Sequence, residues 1–255
     1  MNKLLVLSVY APDTWHLYPW QKWYLDRTTG PYEHVIVSVQ RPPFECHWLP
    51  CPDGPIGFGG KAHRRGVHVC LDFAAQNTAR FKMTCLLDSD AFPVRADWEM
   101  TLSAAMGRFS RKFSAPVRAE NYDAFPHISF IYATTNNFLS LKKSLLDTRG
   151  AGPNLHSGRR RDVAASLPRN QCLCLLKSNT YSPHLMFHCI YGDLIYHAAA
   201  ASRKQVTSNW KIIASHKLWD AVAPRLAAMP PPFHEPTPEF INRLLGEERF
   251  CGAFP

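Results

Sequence analysis

Three continuous apolar segments of strand length constrain the fold of this chain more than any other feature. They cover residues 3–10, 34–39 and 83–87. Continuous rather than alternating apolarity is typical of strands in a parallel sheet whose two faces are both covered. A helical pattern at residues 14–27 separates the first two segments. The N-terminus is therefore predicted to form a β-α-β unit, a connection that is right-handed almost without exception.

The region between the second and third strands is predicted to be a long loop followed by a helix. Residues 40–62 are rich in Pro and Gly, and residues 66–80 have apolar side chains at helical spacing. The first part of the chain thus has the doubly wound pattern, in which ligands bind beyond the carboxyl ends of the strands. Further along, we predict a strand at 127–133 and a short helix at 237–247.

Composition indicates a folded protein without a membrane-spanning helix. The 255 residues are 46% hydrophobic and 19% charged, which is unlike a disordered chain. No run of about 18 apolar residues is present, so no transmembrane helix is expected. The 8 cysteines form no CxxC pair, so a structural zinc site has little support. We expect reduced thiols and a cytoplasmic location.

The net charge of +9 indicates attraction to anions. Such partners include nucleic acid, phosphorylated small molecules and anionic lipid headgroups, so peripheral membrane association is compatible with this charge. A non-catalytic basic nucleic-acid-binding module is therefore the alternative interpretation of the chain. The basic residues are scattered, however, and no recognised nucleic-acid motif occurs, so we expect no nucleic-acid partner.

The residues best suited to chemistry are Asp88 and Asp90, directly after the third predicted strand. Two carboxylates one residue apart can chelate a divalent cation together with the oxygens of a diphosphate. Mn²⁺ and Mg²⁺ are the expected ions. Two other interpretations stay open: a surface turn whose aspartate caps the next helix, and a phosphatase-like enzyme with an aspartate nucleophile. In that phosphatase fold the two aspartates normally follow the first strand.

A resemblance to a known superfamily rests on two stretches, residues 68–78 (HVCLDFAAQNT) and 84–93 (TCLLDSDAFP). Together they resemble the nucleotide-sugar-binding half of GT-A-fold glycosyltransferases, and residues 84–93 form the tight motif. The resemblance covers about residues 3–107. It implies an α/β, GT-A-like single domain with a Rossmann-type mixed sheet flanked by helices. Residues 1–107 would form the nucleotide-sugar-binding half and residues 108–255 the acceptor-binding half.

The resemblance also implies roles for individual residues around the metal. Asp90 would be the main metal ligand, and Asp88 would contact the metal or the ribose. A histidine late in the domain often completes such a site, and His197 is the candidate here. His184 and His188 compete with His197 for that role.

Donor binding is expected from residues at several points of the chain. Residues 8–13, at the end of the first strand, would line the base and ribose pocket, with Val9, Tyr10 and Asp13 as its named members. Asp72, inside the first matching stretch, is expected among the donor-binding residues. Arg203, followed by Lys204, could hold the diphosphate.

The function implied is transfer of a sugar from a UDP- or GDP-sugar to a glycan, lipid-linked or protein acceptor. An inverting transferase needs a general base to deprotonate the acceptor hydroxyl. Glu120 and Asp123 are the candidates, in a segment bounded by aromatic residues and proline. A retaining transferase would require neither, and ordinary exposed charges remain the alternative interpretation of both residues.

Overall fold

The structure is a computed structural model that describes residues 3–52, 60–117, 126–146, 167–178 and 189–197. Its strands are β1 (Leu4–Val9), β2 (Tyr32–Ser38), β3 (His47–Pro50), β4 (Met83–Asp88), β5 (Ala91–Pro93), β6 (Phe113–Pro116), β7 (Phe130–Thr134), β8 (Cys172–Leu175), β9 (Cys189–Tyr191) and β10 (Ile195–His197). Its helices are α1 (Tyr18–Thr28), α2 (Gly60–Gln76), α3 (Trp98–Arg108), α4 (Thr135–Ser140) and α5 (Lys142–Leu146). Short 3-10 turns precede α1 and β8, at Pro12–Leu17 and Arg169–Gln171.

The strands form a seven-stranded mixed sheet in the order β3-β2-β1-β4-β7-β6-β8. Strand β7 is antiparallel to both of its neighbours, and the remaining pairs are parallel. The predicted α/β class, with a Rossmann-type mixed sheet flanked by helices, is confirmed. Strands on both sides of residue 107 belong to this sheet, and the division into a donor half and an acceptor half stays a prediction.

Both faces of the sheet are covered, as the continuous apolarity of the strands predicted. Leu5 and Leu7 of β1 lie in one core with α2, whereas Leu4 and Val6 lie in a second core with α3. Trp98 of α3 is fully buried in that second core. Burial of each aliphatic side chain of β1 contributes about 1.5–3 kcal/mol. The two cores therefore hold the strand, and with it the strand end, in place.

A second, three-stranded antiparallel sheet has the strand order β5-β10-β9. Strand β5 follows β4 after only two residues, Ser89 and Asp90. The small sheet therefore brings residues near position 195 to the carboxyl end of β4. Its register pairs His197 with Ala91 and Ile195 with Pro93.

Three elements differ from the sequence-based prediction. Helix α2 begins at Gly60 and not at 66, because the Pro- and Gly-rich segment ends earlier than predicted. Strand β3 lies inside that segment; it is a half-exposed edge strand without a continuous apolar pattern. Strand β7 begins at Phe130 rather than at 127, because Phe130 is the first residue to pair with β4, opposite Leu87. The helix predicted at 237–247 lies outside the described residues.

Two expectations from composition concern the thiols and the membrane. The cysteines in the described part of the chain form no disulfide with one another. Among the described helices, none combines the length and apolarity that crossing a bilayer requires.

Candidate metal centre

The two aspartates of the motif lie at the carboxyl edge of the parallel strands. Asp88 ends β4, beside Val9 at the end of β1. Its backbone N–H donates to the carbonyl of Ser129, just before β7. Asp90 follows in the tight turn to β5 and is 7% exposed. The end of β4 and the short turn to β5 thus carry the two carboxylates, at the edge where doubly wound sheets bind ligands.

His197 joins the two aspartates through the small sheet. Ligand atoms of Asp88, Asp90 and His197 all lie within 4.8 Å of one another. The Nε2 atom of His197 is 3.3 Å from Oδ1 of Asp90. Strand β10 brings the imidazole there, because His197 pairs with Ala91, the residue that follows Asp90.

Two more histidines surround this group, and the sequence analysis assigned a role to neither. His63, near the start of α2, places Nε2 2.9 Å from Oδ1 of Asp88. The ring of His127 lies 6.0 Å from the ring of His197, centroid to centroid. Nδ1 of His127 accepts from the backbone N–H of Ser129 at 3.2 Å. A neutral imidazole bonded in this way carries its proton on Nε2, which is then a donor.

The histidines favour the ionised form of Asp88. Burial alone would raise the pKa of this carboxyl group. His63 opposes burial with its charge and its hydrogen bond, and His197 adds a weaker attraction. The pKa of Asp88 is therefore held well below its usual range, and the group is an anion at neutral pH.

The donor set fits a divalent cation. Two carboxylates and one imidazole are hard and intermediate ligands, which suit Mn²⁺ and also permit Mg²⁺. The Nδ1 atom of His197 is buried and has no hydrogen-bond partner within the described part of the chain. A buried nitrogen without a partner is costly unless another group binds it. Asp88, Asp90 and His197 are the residues that could hold the ion.

Other residues predicted to contact the donor have mixed placements. Val9 and Tyr10 lie at the same strand edge as Asp88, but Tyr10 is only 3% exposed. The backbone of Asp13 lies in the turn before α1, whereas its side chain is not described. Arg203, Glu120 and Asp123 lie outside the described residues, as do His184 and His188.

The structure does not bring Asp72 to this group. Its carboxylate pairs with His68 at 3.1 Å and with Lys142 of α5 at 3.1 Å, on an exposed surface. His63, which contacts Asp88, is nine residues earlier on α2, or about 13 Å along the helix axis. The sequence-based expectation rested on the position of Asp72 in a motif and did not include the direction of the helix.

Comparisons with known proteins identify similar solved structures only. No protein-family model matches the chain, and no curated protein matches it. One similar structure is a glycosyltransferase involved in the glycosylation of the major capsid of PBCV-1. It has 10% identity and a TM-score of 0.45, and the match covers 84% of this chain and 99% of that one.

A second similar structure is the glycosyltransferase GlyE of Streptococcus pneumoniae TIGR4. It has 12% identity and a TM-score of 0.45, and the match covers 69% of this chain. The chain spans 45% of the length of GlyE. Both similarities are in the backbone fold alone. Evidence for a function must therefore come from the side chains at the carboxyl edge of the sheet.

Proposed function

We propose that this chain is a glycosyltransferase that uses a divalent cation, Mn²⁺ or Mg²⁺, and a nucleotide-sugar donor. The observation that carries the proposal is the convergence of Asp88, Asp90 and His197 within 4.8 Å. These residues come from β4, the following turn and β10, so the fold gathers them from distant parts of the sequence. Surface aspartates that only cap a helix would not be joined by a buried histidine.

The position of this group in the sheet supports a nucleotide ligand. It lies beyond the carboxyl end of β4, next to β1, in a sheet of doubly wound type. Ligands of such sheets bind in the crevice outside the carboxyl ends of the strands. A nucleotide placed there would extend from the end of β1, near Val9, and its diphosphate would reach Asp88 and Asp90.

The residues of the centre would divide the work between holding a cation and binding phosphate. Asp88, Asp90 and His197 would hold the cation, which stabilises the departing diphosphate as the sugar–phosphate bond breaks. His63 would keep Asp88 ionised and oriented through their 2.9 Å contact. The Nε2–H group of His127 could donate to a phosphate oxygen.

The acceptor and the base are proposed from sequence position alone. Glu120 or Asp123 would deprotonate the acceptor hydroxyl if transfer inverts the anomeric centre, and a retaining reaction would need neither. Arg203 would contact the diphosphate. The acceptor would be a glycan, a lipid-linked saccharide or a protein, and the donor a UDP- or GDP-sugar. A cytoplasmic location, with peripheral association at a membrane, is consistent with the net charge of +9.

A nucleic-acid-binding module would not need the group of Asp88, Asp90 and His197, in which Asp90 and His197 are buried. Several cations of the described part already face carboxylates: Lys3 and Arg80 pair with Glu33, and Lys142 pairs with Asp72. These pairs reduce the positive charge available to a polyanion. The glycosyltransferase interpretation explains the buried residues, and the alternative does not.

A thermal-shift panel tests the proposal. UDP-, GDP-, CMP- and dTDP-sugars are each added with and without Mn²⁺, to the unmodified protein and to Asp90→Asn. We expect stabilisation by one nucleotide class, dependent on the metal and lost in the variant. Stabilisation of equal size by any polyanion, without metal, would support the nucleic-acid-binding alternative.

A further inference from the structure

Gln21 of α1 makes four hydrogen bonds although its side chain is fully buried. Its Nε2 donates to the backbone carbonyls of Asp88 and Ala91, each at 2.8 Å. Its Oε1 accepts from Ser8 Oγ at 3.1 Å and from the Tyr10 hydroxyl at 2.9 Å. Both N–H groups and both lone pairs of the amide are therefore used.

The two donated bonds lie on either side of Asp90. One binds the carbonyl of Asp88, a candidate ligand itself, and the other binds the carbonyl of Ala91. Ala91 also pairs with His197 across the small sheet. A single amide thus bonds to the backbone of Asp88 and to that of Ala91, which follows Asp90 in the chain and pairs with His197 across the small sheet.

The acceptor side of the amide is anchored in the middle of the large sheet. Ser8 lies on β1, and its hydroxyl oxygen is 3.1 Å from Nε2 of His34 on β2. Burial lowers the pKa of His34 to about 3, so its ring is neutral at pH 7. With the Ser8 hydroxyl donating to Gln21, His34 must donate to Ser8. The resulting chain of hydrogen bonds runs from β2 through β1 and α1 to the turn after β4.

A buried amide is costly unless its hydrogen bonds are made, and an apolar side chain would fill the same space without that cost. The amide orientation is also determined, because two carbonyl acceptors require the NH₂ group. These facts indicate that the turn geometry, rather than packing, is what Gln21 provides.

We propose that Gln21 is a positioning residue that fixes the turn from Asp88 to Ala91 and thereby sets the affinity of the Asp88, Asp90 and His197 group for a divalent cation. The nature of the ligand rests on the proposed function. The positioning of the turn does not, since it follows from the hydrogen bonds of Gln21 alone.

The test compares Gln21→Met with Thr28→Val. Thr28 is also buried on α1, and its hydroxyl donates only to the Tyr24 carbonyl within the same helix, at 2.7 Å. Two quantities are measured well below the melting temperature: the Kd for Mn²⁺, and hydrogen exchange of a peptide spanning residues 88–92. Loss of an outer-shell partner of a metal ligand costs about 10–100-fold in affinity, so we expect Gln21→Met to weaken Mn²⁺ binding at least about tenfold. Exchange in the turn should rise, and Thr28→Val should change neither quantity.

An unchanged Kd together with unchanged exchange in folded Gln21→Met would overturn the proposal. If Gln21→Met does not fold, Ser8→Ala replaces it, because this change removes one bond to Oε1 and keeps both donated bonds. Ser8→Ala should weaken Mn²⁺ binding by a smaller factor and raise exchange in the turn, and no effect on either would equally overturn the proposal. Absence of Mn²⁺ binding in the unmodified protein would instead contradict the proposed function. Hydrogen exchange in the turn, compared between Gln21→Met and Thr28→Val, would still decide the role of Gln21.

Discussion

The imidazole of His197 lies 3.3 Å from the carboxylate of Asp90, and both side chains are almost completely buried, at 4% and 8% exposure. A buried carboxylate and a buried histidine are costly apart, because each then lacks a partner. Together they form a preorganised pair whose nitrogen and oxygen atoms face the candidate metal site. The pair also joins β10 to the turn after β4.

His197→Ala should weaken Mn²⁺ binding by about tenfold or more, since one of the three proposed protein ligands is lost. The matched control is His47→Ala, which removes an exposed histidine paired with Glu33 on the sheet edge. Calorimetric titration with Mn²⁺ measures both variants. Equal affinities for His197→Ala and the unmodified protein would return His197 to a purely structural role.

His63→Ala should raise the pKa of Asp88. Burial already acts to raise this pKa, and His63 is the strongest of the groups that oppose it. A carboxyl group with a depressed pKa stabilises the fold at neutral pH, and this contribution is lost as the pH falls below about 4. The variant should therefore lose less of its stability on acidification, as measured by urea unfolding between pH 7 and pH 3 with metal removed. His68→Ala, on the exposed face of α2, serves as the control.

Gly66→Ala should destabilise the protein through a clash between α2 and β1. An added Cβ would lie 2.9 Å from Cγ2 of Val9 and closer still to its Cγ1. Overpacking of this kind costs about 1–3 kcal/mol. The double variant Gly66→Ala with Val9→Ala should recover part of that loss, and urea unfolding of the four proteins gives the coupling energy. Strictly additive effects would mean that the helix shifts instead of clashing with Val9.

His34 should make the protein sensitive to mild acid. Burial lowers its pKa to about 3, against about 6.5 in the unfolded chain. The unfolded state therefore binds a proton first, so stability falls as the pH drops below about 6.5. Between pH 7.5 and 5.5, protonation of His34 in the unfolded state lowers the free energy of unfolding by about 1.4 kcal/mol. His34→Gln should lose less stability over that interval by about the same amount, and an identical pH dependence would show that His34 is protonated in the fold.

The fold and the aspartates of the site were predictable because their signals are local. Continuous apolar segments identify buried parallel strands, and Asp88 and Asp90 follow one of them directly. Strand β3 was missed because an edge strand is half exposed and depends on its pairing with β2.

The remaining residues of the site depend on contacts between distant parts of the chain. His63 fell between the predicted loop at 40–62 and the predicted helix at 66–80, because α2 begins six residues earlier than expected. His127 was assigned to a strand, although it precedes β7 at the edge where ligands bind. For Gln21, helical periodicity gives no indication that a buried amide will meet two carbonyls of a different element.

The proposed metal centre is tested by calorimetric binding of Mn²⁺, and then of UDP and GDP in its presence, to the unmodified protein, Asp90→Asn and Asp72→Asn. Asp72 provides the control because its carboxylate pairs with Lys142 on an exposed surface. We predict metal-dependent nucleotide binding that Asp90→Asn weakens by about 100-fold or more, beyond what loss of an outer-shell partner costs, while Asp72→Asn binds normally. A folded Asp90→Asn protein that binds Mn²⁺ and nucleotide as tightly as the unmodified protein would contradict this prediction.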